Sequence, residues 1–140
     1  FIMIKRLIET MNKNKKSNMF DASCIMVVAL LYLLNALLFK KQTTGCLNDF
    51  FICYFDDIIC PVLFLPYCNI LLRQRDIEIM GFYKVLFWCL IFGLVWEYIG
   101  PIINTKSISD PIDLLCYQLG GIIYWGLRKV KSYVENKKCI

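Results

Sequence analysis

The chain has 140 residues, a net charge of +5, 59% hydrophobic residues and a mean hydropathy of +0.56. A soluble domain of this size carries roughly 45 to 50% apolar residues, so the excess points to lipid as the solvent. The sequence contains no histidine, which excludes a histidine base, His-ligated zinc and histidine pH switching.

The apolar residues fall in long runs separated by short polar stretches, and this predicts an all-α, multi-pass integral membrane four-helix bundle. Residues 1–21 form a basic leader that includes Lys13, Lys15 and Lys16. Because the chain opens on Phe1, with Met3, Met11 and Met19 as alternative starts, this segment carries little weight in the reading. The first span is Ala22 to Phe39, long enough at ~1.5 Å per residue to cross most of a ~30 Å hydrocarbon core. A cleaved signal is not expected, since Lys40 and Lys41 break the approach to Thr43-Thr44-Gly45-Cys46.

The second span runs from Phe50 to Leu72, carries Asp56, Asp57, Pro61, Pro66 and Asn69, and ends at Arg73 and Arg75. The third is Phe82 to Ile103, with Glu97 inside it. The fourth, Pro111 to Leu127, leads into a basic tail, 128–140, that begins with Arg128, Lys129 and Lys131. Spans 22–39, 50–72, 82–103 and 111–127 thus make one transmembrane domain, 22–127. Six cysteines, Cys24, Cys53, Cys60, Cys68, Cys89 and Cys116, lie within the apolar runs, and no CxxC pair occurs, so they read as small hydrophobes.

Lysine and arginine are retained in cytoplasmic loops. Thirteen of the sixteen flank the first span's start, the loop between the second and third spans, and the fourth span's end; only Lys40, Lys41 and Lys106 remain for the other side. This places both termini in the cytosol, in agreement with an even number of spans.

In that orientation Asp56 and Asp57 lie about six residues below the outer surface, roughly 9 Å deep at helical rise. Glu97 lies at nearly the same depth on the third span, and Asp110 and Asp113 open the fourth. A carboxylate inside a membrane costs ~2.5 to 3.5 kcal/mol when it faces lipid at mid-depth, so Asp56, Asp57 and Glu97 are expected to face inward. There they bind a cation, hold water, hydrogen-bond to one another or stay partly protonated, because like charges at close range disfavour ionisation; Mg²⁺ or Ca²⁺ fits an all-oxygen set better than zinc. Adjacent Asp56 and Asp57 point ~100° apart, so one faces a pocket and the other a neighbouring helix. Asp110 before Pro111 also suits an N-cap, and Asp113 then favours the helix dipole. Gly93, Glu97 and Gly100 follow one face of the third span, and Asp113, Tyr117, Gly120 and Tyr124 one face of the fourth, where small residues permit close helix approach. Trp88, Trp96, Tyr98 and Trp125 read as packing groups or interface anchors.

Two stretches carry a resemblance. Tyr54-Phe55-Asp56-Asp57-Ile58-Ile59-Cys60-Pro61, with Trp96-Glu97-Tyr98-Ile99-Gly100-Pro101 and the segment from Ser109 to Gly120, resembles small four-helix bacterial membrane proteins sometimes labelled magnesium-citrate secondary transporters. The later stretch is also similar to the VanZ-like pattern, with its glutamate at Glu97, its aspartates at Asp110 and Asp113 and its glycine at Gly120. The Gln usual after the glutamate and the Arg usual before the aspartates are absent, and Tyr117 stands where Asn is common. The resemblance implies a cell-envelope protein of the bacterial inner membrane.

Three functions follow as expectations. The first is a non-enzymatic module whose acidic outer pocket binds a cation or a polar lipid or amphiphile head group. The second is a small cation- or proton-coupled transporter, working as a homo-oligomer because four short spans make a narrow bundle. The third is an enzyme, disfavoured because no nucleophile has a base beside it. Membrane lipid is the expected partner, and nucleic acid is not.

Overall fold

The computed structural model describes residues 1–42, 44–105 and 110–138. Thr43, Lys106 and Ser109, which enter the sequence reading, lie outside the described residues. Every element among the described residues is helical: α1 (Ile2–Leu34), a π-helical turn (Asn35–Phe39), α2 (Lys40–Gln42), α3 (Cys46–Cys53), α4 (Phe55–Leu72), a 3₁₀ turn (Arg73–Arg75), α5 (Phe82–Ile103) and α6 (Pro111–Lys138). They form four rods. Three are long and apolar enough to cross a membrane: Ile2–Phe39 with 38 residues, Cys46–Arg75 with 30 and Phe82–Ile103 with 22. The fourth, α6, has the length at 28 residues, but Asp113, Gln118 and three glycines dilute its apolar stretch.

The first rod begins far earlier than the expected span at Ala22. Nothing in residues 2–21 breaks a helix, since the segment has neither proline nor glycine, so the basic leader is the first half of α1. The helix changes register at Asn35, where the π turn starts. Such turns widen the backbone and recur at functional sites.

The helices alternate in direction, and α4 and α6 form the central pair, with α1 packed on α4 and α5 on α6. Glycine sets the closeness of this packing. A Cβ on Gly120 would overlap the Ile58 carbonyl and stand 3.0 Å from the Pro61 ring. One on Gly121 would meet Cys89 Sγ at 2.5 Å, and one on Gly93 would meet Leu114 Cδ2 at 2.8 Å. The core between these contacts is Leu65, Ile79, Val85, Cys89 and Tyr124. Pro61 and Pro66, both buried inside α4, fill the central seam; proline at 61 also withholds the helical N–H that would otherwise bind the Asp57 carbonyl. The seven cysteines among the described residues are all free thiols.

The turn after α4 closes with a Schellman pattern. Ile77 N–H donates to the Leu72 carbonyl and Asp76 N–H to the Arg73 carbonyl, both at 3.1 Å, with Asp76 at φ 56°. This reversal delivers Glu78 and Ile79 back against the bundle.

Candidate functional site

The structure divides the polar residues between the two ends of the bundle. The end where α1 finishes and α6 begins carries Asp56, Asp57, Glu97, Asp110 and Asp113, of which Asp56 and Asp57 share one cavity. Asp56 and Asp57 sit in the first turn of α4, and their ~100° separation sends them to different partners. Asn35 Nδ2 donates to Asp56 Oδ1 at 2.9 Å, and Tyr117 Oη donates to Asp57 Oδ1 at 3.2 Å. Asp113 lies near enough to Asp57 and Glu97 for the three carboxyl groups to influence one another. Like-charged oxygens this close repel, and a cationic or donor-rich group between them relieves the repulsion.

Asp56 and Asp57 open on a cavity of about 400 Å³. Its walls are apolar or aromatic: Val28 and Tyr32 of α1, Ile59 and Leu63 of α4, Trp96 of α5 and Tyr117 of α6. All four rods contribute. Asn35 is fully buried, donates a second bond to the Phe51 carbonyl at 3.1 Å, and its Oδ1 accepts no hydrogen bond. The polar groups of the lining include the Asp56 and Asp57 carboxylates and the Tyr117 hydroxyl.

The remaining predicted residues take lesser places. Asp110 caps α6: its Oδ1 accepts from Ile112 N–H at 3.0 Å, and its carbonyl from Asp113 N–H at 3.0 Å. Glu97 is half-buried, beside Asp113 but off the cavity lining. Gly93 and Gly120 are packing positions, and Gly100 is half-buried near the end of α5, its carbonyl accepting from Asn104. Among the described residues no group of three or more carboxylate or thiol side chains is arranged to hold a metal ion.

Asn35, Tyr32 and Val28 were not anticipated, because the first span reads as uniform grease. The signal was there in Asn35, a polar side chain deep in an apolar run.

The opposite end holds a second polar cluster that the sequence reading missed entirely. Asp21 and Asn69 are fully buried, and Arg73 and Arg128 are nearly so. Arg73 bridges Asp21 Oδ2 and Glu78 Oε1, each at 2.5 Å, and donates to Asn18 Oδ1 at 2.8 Å. Arg128 pairs with Glu78 at 2.5 Å and with Asp21 at 3.2 Å. Tyr124 Oη donates to Asp21 Oδ1 at 2.8 Å and accepts from Asn69 Nδ2 at 2.8 Å. Asn69 also binds Ile79 at both backbone groups. Burial alone would raise the Glu78 carboxyl, but the hydrogen bonds and charges of Arg73 and Arg128 hold it below the usual carboxylate range. Two arginines and two acids balance here, with their hydrogen-bonding capacity largely used. Such a cluster fixes helix register and offers a ligand little.

No protein-family model, curated protein or solved structure matches this chain, so the geometry of these two ends carries the functional argument.

Proposed function

We propose that the protein is a small, non-enzymatic bacterial inner-membrane module, VanZ-like in its setting, whose acidic pocket receives the cationic head group of an amphiphile. The observation that supports this most is the lining of the cavity: two carboxylates at one place, surrounded by aliphatic and aromatic side chains. A cationic head group is attracted to the two carboxylates, and Trp96 and Tyr32 bring aromatic rings to the same cavity. An alkyl chain then lies along Val28, Ile59 and Leu63. A bare Mg²⁺ or Ca²⁺ is the weaker occupant, because it takes six or more oxygens and among the described residues no three-carboxylate group is arranged to supply them. Both termini belong on the cytosolic side in this reading, supported by the distribution of lysine and arginine, so the pocket opens toward the outer leaflet.

The transporter reading, with or without a homo-oligomer, needs polar groups that continue across the bundle. Tyr117 of the pocket and Tyr124 of the opposite cluster are two turns apart on α6, roughly 10 Å. Between them Gly120 packs on Ile58 and Pro61, and Leu65 is fully buried. This tight layer counts against a proton or ion path.

The test is thermal unfolding of the chain in phosphatidylcholine nanodiscs with dodecylammonium, dodecanol, Mg²⁺ or Ca²⁺. Dodecylammonium is expected to raise the melting temperature, and dodecanol is not. The difference is expected to disappear in the Asp56→Asn/Asp57→Asn variant. Equal responses to the amine and the alcohol, or an undiminished response in the variant, overturn the reading. A shift with the divalent ions alone replaces the head group by a metal.

A further inference from the structure

A polar cleft and an apolar groove meet between α1 and α6 at the basic end, away from the acidic pocket. The cleft, about 140 Å³, is lined by Lys13, Lys16 and Ser17 of α1 and by Lys131, Ser132 and Glu135 of α6. Arg128 and Glu78 also border it but neutralise each other. Three lysines against one glutamate leave a surplus of positive charge. Lys131 Nζ stands 3.3 Å from Ser17 Oγ and 3.8 Å from Glu135, so ammonium and hydroxyl groups converge on the same space.

The groove begins one helical turn further into the apolar part of the bundle. It encloses about 240 Å³ between Phe20, Cys24 and Val27 of α1 and Leu127 of α6. Ser23 on its wall is spent on the Met19 carbonyl at 2.8 Å, which leaves the surface apolar. Lys131 joins the two, because its Nζ lies 5.1 Å above the Phe20 ring. The level is right for a membrane interface: Lys16 precedes the apolar run that starts at Ala22, and Lys131 follows the one that ends at Leu127.

We propose that this seam binds an anionic phospholipid, with its phosphate among Lys13, Lys16, Lys131 and Ser17 and one acyl chain in the groove beside Leu127. Basic pockets between membrane helices bind anionic head groups through this combination of charge and hydroxyl donors, and an apolar channel joined to the charge distinguishes a lipid from a soluble phosphate. The lipid bridges α1 and α6, two helices joined here by side chains only.

The experiment uses the full chain in a non-ionic detergent, titrated separately with dioleoyl-phosphatidylglycerol, dioleoyl-phosphatidylcholine and inorganic phosphate. The readouts are thermal midpoint and lipid retained in native mass spectra. Phosphatidylglycerol is expected to raise the midpoint and stay bound, and the other two are not. Lys13→Ala/Lys16→Ala, both exposed side chains, is expected to weaken the half-saturating concentration about tenfold. Lys5→Ala/Arg6→Ala removes the same charge from α1 outside the cleft and is expected to change little. Leu127→Trp, which fills the groove, is expected to abolish retention. Equal effects of the two lysine-region variants would reduce the seam to general surface attraction and overturn the proposal. So would a full response to phosphate alone, or wild-type retention in Leu127→Trp.

Discussion

The two polar ends of this bundle are made from similar residues and reach opposite results. At the basic end, Asp21 and Glu78 meet Arg73 and Arg128, so each buried charge has a partner within 3.2 Å. At the acidic end, Asp56 accepts from Asn35 and Asp57 from Tyr117, and Asp113 stands near Asp57 and Glu97. The balanced cluster is complete within the fold, whereas the acidic end is, in the proposed reading, completed by a ligand. The difference can be broken or sharpened by removing one charge at a time.

The largest effect is expected at Asp21. It is fully buried and touches both arginines, so Asp21→Asn leaves two guanidinium groups short of a counter-charge. Losing one partner from a buried ion pair costs roughly 3 to 5 kcal/mol, measured by denaturant unfolding in detergent. A loss below about 1 kcal/mol, the range of an exposed pair, would make the cluster a surface feature and dissolve the contrast.

Glu78 gives a smaller effect that depends on pH. Its carboxyl titrates below its ordinary value of about 4.5 in the folded protein. Its contribution is therefore fully present above that value and fades as pH falls through the lower, folded one. Glu78→Gln is expected to cost roughly 1.5 to 3 kcal/mol near neutrality, the worth of hydrogen bonds to a charged group. It also flattens the acid limb of stability against pH. An unchanged acid limb in the variant would assign acid sensitivity to other carboxylates.

The four-rod plan, the antiparallel order and the gathering of acids at one end were legible in the sequence, because lipid demands long apolar runs and penalises stray carboxylates. What escaped was the pairing at the basic end. Arg73 and Arg128 are the residue types that report orientation, and that explanation was sufficient until Asp21 and Glu78 were placed beside them. The clue lay in depth: Asp21 stands at the edge of its apolar run, level with the arginines that end the second and fourth spans. Applied to both signs of charge, the reasoning that joined Asp57 to Glu97 also joins Asp21 to Arg128. The length of α1 escaped for another reason, since a polar helix outside lipid has no apolar periodicity to announce it.

The layer between the two ends can be tested at glycine. Gly120→Ala drives a methyl into the Ile58 carbonyl, and overpacking of this kind costs about 1 to 3 kcal/mol. Gly126 lies in the same helix with open space around its Cα, so Gly126→Ala is expected to stabilise by roughly 0.5 to 1 kcal/mol. Matching gains at both positions would mean that helix propensity governs, and the seal between pocket and cluster would lose its support.

The smallest effect belongs to the acidic end, and it is the one that decides what the comparison means. Asp57→Asn keeps an oxygen that can accept from Tyr117 while removing one of the charges facing Asp113 and Glu97. Lost attraction and relieved repulsion oppose each other, so stability is expected to stay within about 0.5 kcal/mol of the unaltered protein, with any change toward higher stability. Measured beside Asp21→Asn under identical conditions, the ratio between the two effects is more telling than either number. A loss at Asp57 as large as that at Asp21 would make the pocket carboxylate a structural member already satisfied by the fold. A neutral outcome leaves the carboxylate unexplained by folding and is the result expected of a group that serves a ligand, as proposed.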